Sequence, residues 1–255
     1  MIMSFSLYSK IPMPQISWDE DSAEHAIGFL PFVGIVIGAV SYLVLRIKQI
    51  YELPALFLTL MLTLIPLLIT GGFHLDGFMD VQDALHSYQP KDKKLEIMKD
   101  PHIGAFAVIS AGALLLAWTG FLYLLVFESF EKGEDTLLII YCISFVLARV
   151  LCATTSISFP KAKKDGMLNM ETKKSKKGDI VFLGVQAAAS MAAMLWINAT
   201  VSCLVFAAFA LHLAWYCRLC KRNFGGVTGD TAGFFVVTAE TAVLVLLGIC
   251  SVFML

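Results

Sequence analysis

The stretch GGFHLDGFMDVQDALHSY, beginning at Gly71, sets Asp76, Asp80 and Asp83 four and then three residues apart. On a helix that spacing turns all three carboxylates to one face. Like charges so placed repel, and a bound cation relieves the repulsion. Hard oxygen ligands in this pattern suit magnesium held together with substrate phosphates. Acids that merely solvate a helix end and favour its positive dipole are the simpler reading, but that explains one acid better than three. The interleaved Leu75, Phe78, Met79 and Val81 place the stripe beside an apolar environment, where ionisable groups mark function. His74 next to them reads equally as a metal ligand or proton-transfer group and as an interfacial hydrogen-bonding side chain.

Two further polar stretches carry chemistry. In KLEIMKDPHIGAF, Lys99 and Asp100 precede Pro101, which disfavours helical backbone at Asp100, and Gly104 then opens an apolar run. A lysine at a helix N-terminus can meet a phosphate, and a basic flank with a helix cap fits the same pattern. In RNFGGVTGDTAG, the three glycines that precede Asp230, together with Thr228 and Asp230 itself, read either as a phosphate or ribose cradle or as a tight turn with Asp230 as N-cap. A P-loop and a dinucleotide fingerprint are excluded, because the P-loop lysine and the required strand are missing. Arg149 and Glu240 stand inside apolar runs, so they pair with each other or Arg149 reaches an anionic substrate. Asn198 reads as a turn residue and His212 as an interhelical hydrogen bond. Cys217 and Cys220 have zinc-like spacing without a second such pair.

These residues must be positioned by membrane helices. The chain has 255 residues, 58% hydrophobic and 15% charged, with a mean hydropathy of +0.77, which excludes an ordinary soluble globule. A net charge of -1 gives no case for a nucleic-acid partner. Spanning a bilayer takes about 20 apolar residues. Runs of that kind cover Ala26 to Leu45, Leu53 to Phe73, Ile103 to Phe127, Thr136 to Pro160, Ile180 to Cys217 as two spans, and Thr231 to Leu255. The expected fold is all-α: a polytopic integral membrane helical bundle of about seven spans in one domain over residues 1–255, with an acidic helix at the cytoplasmic face.

No signal peptide is expected ahead of the first span. Lysines and arginines gather on one side, at Lys10, Lys91 to Lys99, Lys161 to Lys177 and Arg218 to Arg222, against only Arg46, Lys48 and Lys132 opposite. The positive-inside rule therefore places the N-terminus inside and the C-terminus outside. The lysine-rich loop 161–179 serves topology and anionic lipid, or binds an anionic substrate.

Taken together, FSLYSKIPMP, AIGFLPFVGIVIGA, GGFHLDGFMDVQDAL, EIMKDPHIGAFAV and GGVTGDTAG resemble, in order and across nearly the whole chain, the cobalamin synthase family of adenosylcobinamide-GDP ribazoletransferases. His102 departs from that pattern, standing where an arginine is usual, and MDVQDAL stands for a more typical ADTADGL. The resemblance implies a multi-pass enzyme of the bacterial cytoplasmic (inner) membrane that uses Mg2+ to join adenosylcobinamide-GDP to alpha-ribazole or alpha-ribazole 5'-phosphate and releases GMP. It implies that Asp76, Asp80 and Asp83 hold the metal, that His74 or an aspartate takes the attacking proton, and that Lys99, Asp100, Thr228 and Asp230 position phosphate or ribose. Arg149 is then a further candidate contact, the active site faces the cytoplasm, and a homo-oligomer stays open.

Two competing readings differ in class. A CDP-alcohol phosphotransferase also displaces a nucleotide with metal-bound aspartates, but its signature needs Ala-Arg after Asp-Gly, and Phe78 and Met79 follow Asp76 and Gly77 here. A transporter would use Arg149 and Glu240 as its path, and leaves the acidic stripe and both polar loops on one side without a purpose.

Overall fold

The computed structural model describes residues 1–14, 25–162, 167–172 and 177–254. These form α1 (Ile2–Tyr8), a 3-10 turn (Ala26–Phe29) leading into α2 (Leu30–Tyr51), α3 (Ala55–Thr70), α4 (Phe73–His86) and α5 (Lys91–Ile97). Then follow α6 (Ala105–Lys132), α7 (Thr136–Ser158), α8 (Met167–Thr172), α9 (Lys177–Ile197), α10 (Ala199–Asn223) and α11 (Gly229–Phe253). A helix satisfies its own backbone, which lipid cannot do, and that dictates the architecture. Among the described residues six helices are long and apolar enough to cross a membrane, and α3 with α4 would add a seventh span if counted together.

That pair is the expected span over Leu53 to Phe73 and the acidic helix after it, with the span shorter than the apolar run. Helix α3 has 16 residues, about 24 Å of helix against a hydrocarbon core of about 30 Å. Gly71 (φ +65°) and Gly72 (φ +79°) end it in left-handed backbone, and α4 leaves at 89° to lie across the end of the bundle. The acidic helix is therefore a separate element turned off the span.

Helices α7 and α11 form the inner pair. Arg149 of α7, 1% exposed, donates to Glu240 of α11 at 2.5 Å and to the Phe145 carbonyl at 2.9 Å. Neither charge would be tolerable at that depth without the other. Gly34 and Gly38 let α2 approach α7 closely: a Cβ at Gly34 would stand 2.6 Å from the Phe145 carbonyl oxygen. This is the close contact that small residues four apart allow between membrane helices. Between α10 and α11, His212 shares a hydrogen bond with the Thr238 hydroxyl at 3.0 Å.

The polar links separate into two ends. At one, the Lys10 N–H donates to the Ile69 carbonyl (2.8 Å), His25 meets Asp179 (2.8 Å), and Lys94 donates to Asn223 (2.7 Å). There too, Val227 N–H donates to the Pro160 carbonyl (2.8 Å) and Ala162 N–H to the Val227 carbonyl (3.0 Å). At the other end Arg46 lies 3.8 Å from Asp135, Lys132 donates to the Ser251 carbonyl (2.8 Å), and Asn198 caps α10 by accepting from Val201 N–H (3.0 Å). The first end carries α4 and the described parts of the loops singled out for chemistry. Lys163, Lys164, Lys173, Lys174 and Lys176 of the lysine-rich loop lie outside the described residues.

Candidate active site

Helix α4 is amphipathic, and its apolar face decides where its acids go. Phe78, Val81 and Ala84 are buried, with Phe78 stacked on Phe234 of α11 at 5.7 Å and 8°. Two glycines let the helices close: a Cβ at Gly77 would lie 2.7 Å from the Asp230 carbonyl oxygen, and one at Gly233 would lie 3.0 Å from that of His74. The docking brings Asp230, in the first turn of α11, beside the stripe from α4. Asp76 is exposed, and Asp80, Asp83 and Asp230 are half-buried. Partial burial, then the carboxylates of Asp230, Asp76 and Asp83, push Asp80 up to about 6. Four like charges thus converge from two elements, with too little compensating charge to keep Asp80 in the ordinary carboxylate range.

The individual roles differ from one another. Asp83 accepts Gly104 N–H at 2.7 Å with one oxygen and Ala107 N–H at 2.8 Å with the other, so it caps α6 from outside that helix. Thr228, expected to hold phosphate or ribose, is the N-cap of α11. Its hydroxyl accepts Thr231 N–H (3.1 Å), while Thr228 N–H donates to the Thr231 hydroxyl (2.8 Å). The alternative of Asp230 as N-cap is thereby corrected: the cap is two residues earlier, and Asp230 in the first turn joins the acidic face.

Lys99 and Asp100 are exposed between α5 and α6. The Asp100 carboxylate accepts His102 N–H at 3.0 Å and meets the His102 ring at 2.6 Å, contacts that hold it below the usual carboxylate range. Asp100 is therefore turned to its own loop, and the cap expected near it is supplied by Asp83. His74 is 6% exposed and lines a pocket of about 40 Å3 with Thr70, Trp118, Arg149 and Glu240. The structure thus brings Asp76, Asp80, Asp83 and Asp230 together, and sets His74 and Arg149 below them in the bundle.

Sequence reasoning missed two features here. Asp230 belongs with the carboxylates, and Asp83 caps a distant helix. The second had a signal: α6 starts at Gly104 with no Ser, Thr, Asp or Asn to cap it, so the cap had to come from elsewhere.

Among the described residues no three His, Cys, Asp or Glu side chains are already gathered as a metal cage. Magnesium does not need one, since it keeps several waters and takes one or two carboxylates together with substrate phosphates. Hard oxygen donors with surplus negative charge, expressed in the raised Asp80, fit that ion.

The fold and this face define a class: a multi-pass helical membrane protein with a carboxylate cluster at one end of its bundle. The sequence model described as Cobalamin-5-phosphate synthase matches residues 1–248, and the chain belongs to that family. An adenosylcobinamide-GDP ribazoletransferase of Lachnoclostridium phytofermentans is 36% identical over 239 residues, 93% of this chain and 88% of the relative. One of Clostridium perfringens is 31% identical over 258 residues, covering 97% and 96%, and one of a Geobacillus species is 32% identical over 252 residues, covering 94% and 91%. No solved structure matches the chain.

Proposed function

We propose that the chain is an adenosylcobinamide-GDP ribazoletransferase of the bacterial cytoplasmic membrane, with its active site on the cytoplasmic face between α4 and the start of α11. The observation that carries the placement is the convergence of Asp76, Asp80 and Asp230 where Gly77 lets the two helices touch. The relatives bearing that activity support the reaction. The basic loops at the same end support the cytoplasmic side.

Asp76, Asp80 and Asp230 would hold magnesium, with Asp83 contributing charge while it caps α6. The ion would neutralise the diphosphate of adenosylcobinamide-GDP and the charge that grows on GMP as it leaves. A hydroxyl of alpha-ribazole, or of its 5'-phosphate, attacks the phosphorus on the cobinamide side chain. An O–P bond to the ribazole forms as the P–O bond to GMP breaks. The hydroxyl proton passes to a carboxylate of this face rather than to His74, whose ring is buried in the bundle. Lys99, exposed between α5 and α6, would meet phosphate by charge alone.

The direct test is conversion by the purified protein in lipid. Given adenosylcobinamide-GDP and alpha-ribazole 5'-phosphate, it is expected to form one new corrinoid with the mass of adenosylcobalamin 5'-phosphate. Folded protein that forms none overturns the assignment.

A further inference from the structure

Lys10 follows the last turn of α1 and is fixed from several directions. The Ser9 hydroxyl donates to the Phe5 carbonyl (2.6 Å) and accepts Ile11 N–H (3.3 Å), and the Lys10 N–H is pinned to the Ile69 carbonyl at the end of α3. The methylene stem lies over Gly71, where a Cβ would collide with Cγ, Cδ and Cε of the lysine. Gly71 therefore turns the chain at φ +65° and also seats this side chain.

The Lys10 side chain is exposed, and among the described residues its ammonium forms no ion pair. It opens on a groove of about 430 Å3 between α1 and the α3–α4 turn, within the size range of small-ligand sites. Lys10 and Asp76 are the two charged residues of its lining, with Leu7, Phe73 and Met79 as an apolar flank. A lysine and an aspartate that share a groove without pairing leave room for a group that answers both charges. A phosphate would do so, meeting the ammonium directly and Asp76 through a divalent cation that Asp76 would help hold.

We propose that Lys10 is a substrate-binding residue, and that this groove holds the diphosphate of the nucleotide-activated donor with Lys10 on one of its phosphate oxygens. The assignment rests on the transferase reading above. The donor is favoured over a phosphorylated acceptor because its two phosphates can reach Lys10 while still lying at the carboxylate face.

The test compares wild type, Lys10→Gln and Lys10→Arg in lipid nanodiscs. Equilibrium binding of GDP with magnesium and of alpha-ribazole 5'-phosphate is measured, together with the KM for donor. Lys10→Gln is expected to weaken magnesium–GDP binding about tenfold to a hundredfold, the scale of a hydrogen bond to a charged group. Its donor KM rises by more than its kcat falls, and Lys10→Arg recovers most of the binding because the charge is kept. A melting temperature equal to wild type shows that Lys10→Gln is folded. Folded Lys10→Gln that binds magnesium–GDP as wild type does overturns the proposal, and so does a loss confined to alpha-ribazole 5'-phosphate. Wild type that neither binds GDP nor turns over the donor would instead sink the transferase reading itself.

Discussion

Asp83 holds the start of α6 at Gly104: its two oxygens accept the N–H groups of Gly104 and Ala107 at 2.7 Å and 2.8 Å. Helix α6 has no capping side chain of its own at that end. Asp83→Ala is expected to cost about 1–2 kcal/mol, the usual loss on removing a helix cap. Asp83→Asn keeps one of the two bonds through its amide oxygen and loses the other, because its NH2 cannot accept, so it is expected to recover part of that cost at most. Unfolding in detergent measures both. If Asp83→Asn lowers magnesium affinity as much as Asp80→Asn does, Asp83 is a ligand first and a cap second.

Across the α4–α11 contact the Asp230 carboxylate repels Asp80 and helps hold it up to about 6, and replacing either by asparagine removes repulsion along with a candidate ligand. The metal-free variants are expected to melt at or above the wild-type temperature. Magnesium at 100 times its Kd stabilises wild type by about 2.7 kcal/mol through mass action, and the variants lose most of that gain. Thermal scans with and without magnesium decide it, and an unchanged magnesium response in both variants would contradict the site.

The Arg149–Glu240 pair is buried on both sides. Glu240→Ala alone leaves a cation unpaired and is expected to cost about 3–5 kcal/mol, whereas Arg149→Met with Glu240→Leu recovers most of that stability. The double variant should also keep turnover, since Arg149 sits below the carboxylate face. A stable double variant with no turnover would return Arg149 to the list of substrate contacts.

At Gly77 a side chain would press on the backbone of Asp230. Gly77→Val is expected to lose about 1–3 kcal/mol by overpacking, and activity falls further because α4 is displaced from Asp230. Gly112, in α6 with open space around its Cβ position, is the control: Gly112→Ala gains up to about 1 kcal/mol from helix propensity. Equal losses at both positions would remove the close contact from the account.

Much of this was legible in the sequence because periodicity reports faces and hydropathy reports lengths. The stripe of Asp76, Asp80 and Asp83, the span now seen as Thr136–Ser158 and the break at Asn198 all follow from such local rules. Partners across the fold do not. The missing cap at Gly104 can be read from the sequence but not that Asp83 supplies it, and RNFGGVTGDTAG does not say that Thr228 caps so that Asp230 joins α4. The Leu53 to Phe73 run does not show that its helix stops at Thr70, because that end depends on a glycine pair and on Lys10, from another part of the chain, lying over Gly71.

The central claim, that the α4–α11 carboxylate face is where GMP is displaced, is tested most directly by the rate of GMP release from adenosylcobinamide-GDP as magnesium is varied. Wild type in lipid, supplied with alpha-ribazole 5'-phosphate, is expected to release GMP and form corrinoid in equal amounts, only with magnesium. Asp76→Ala and Asp230→Asn, melting like wild type, are expected to lose at least about a hundredfold in that rate, the scale of one stabilising group lost from a transition state. Magnesium-independent release, or variants that release GMP as fast as wild type, would contradict it.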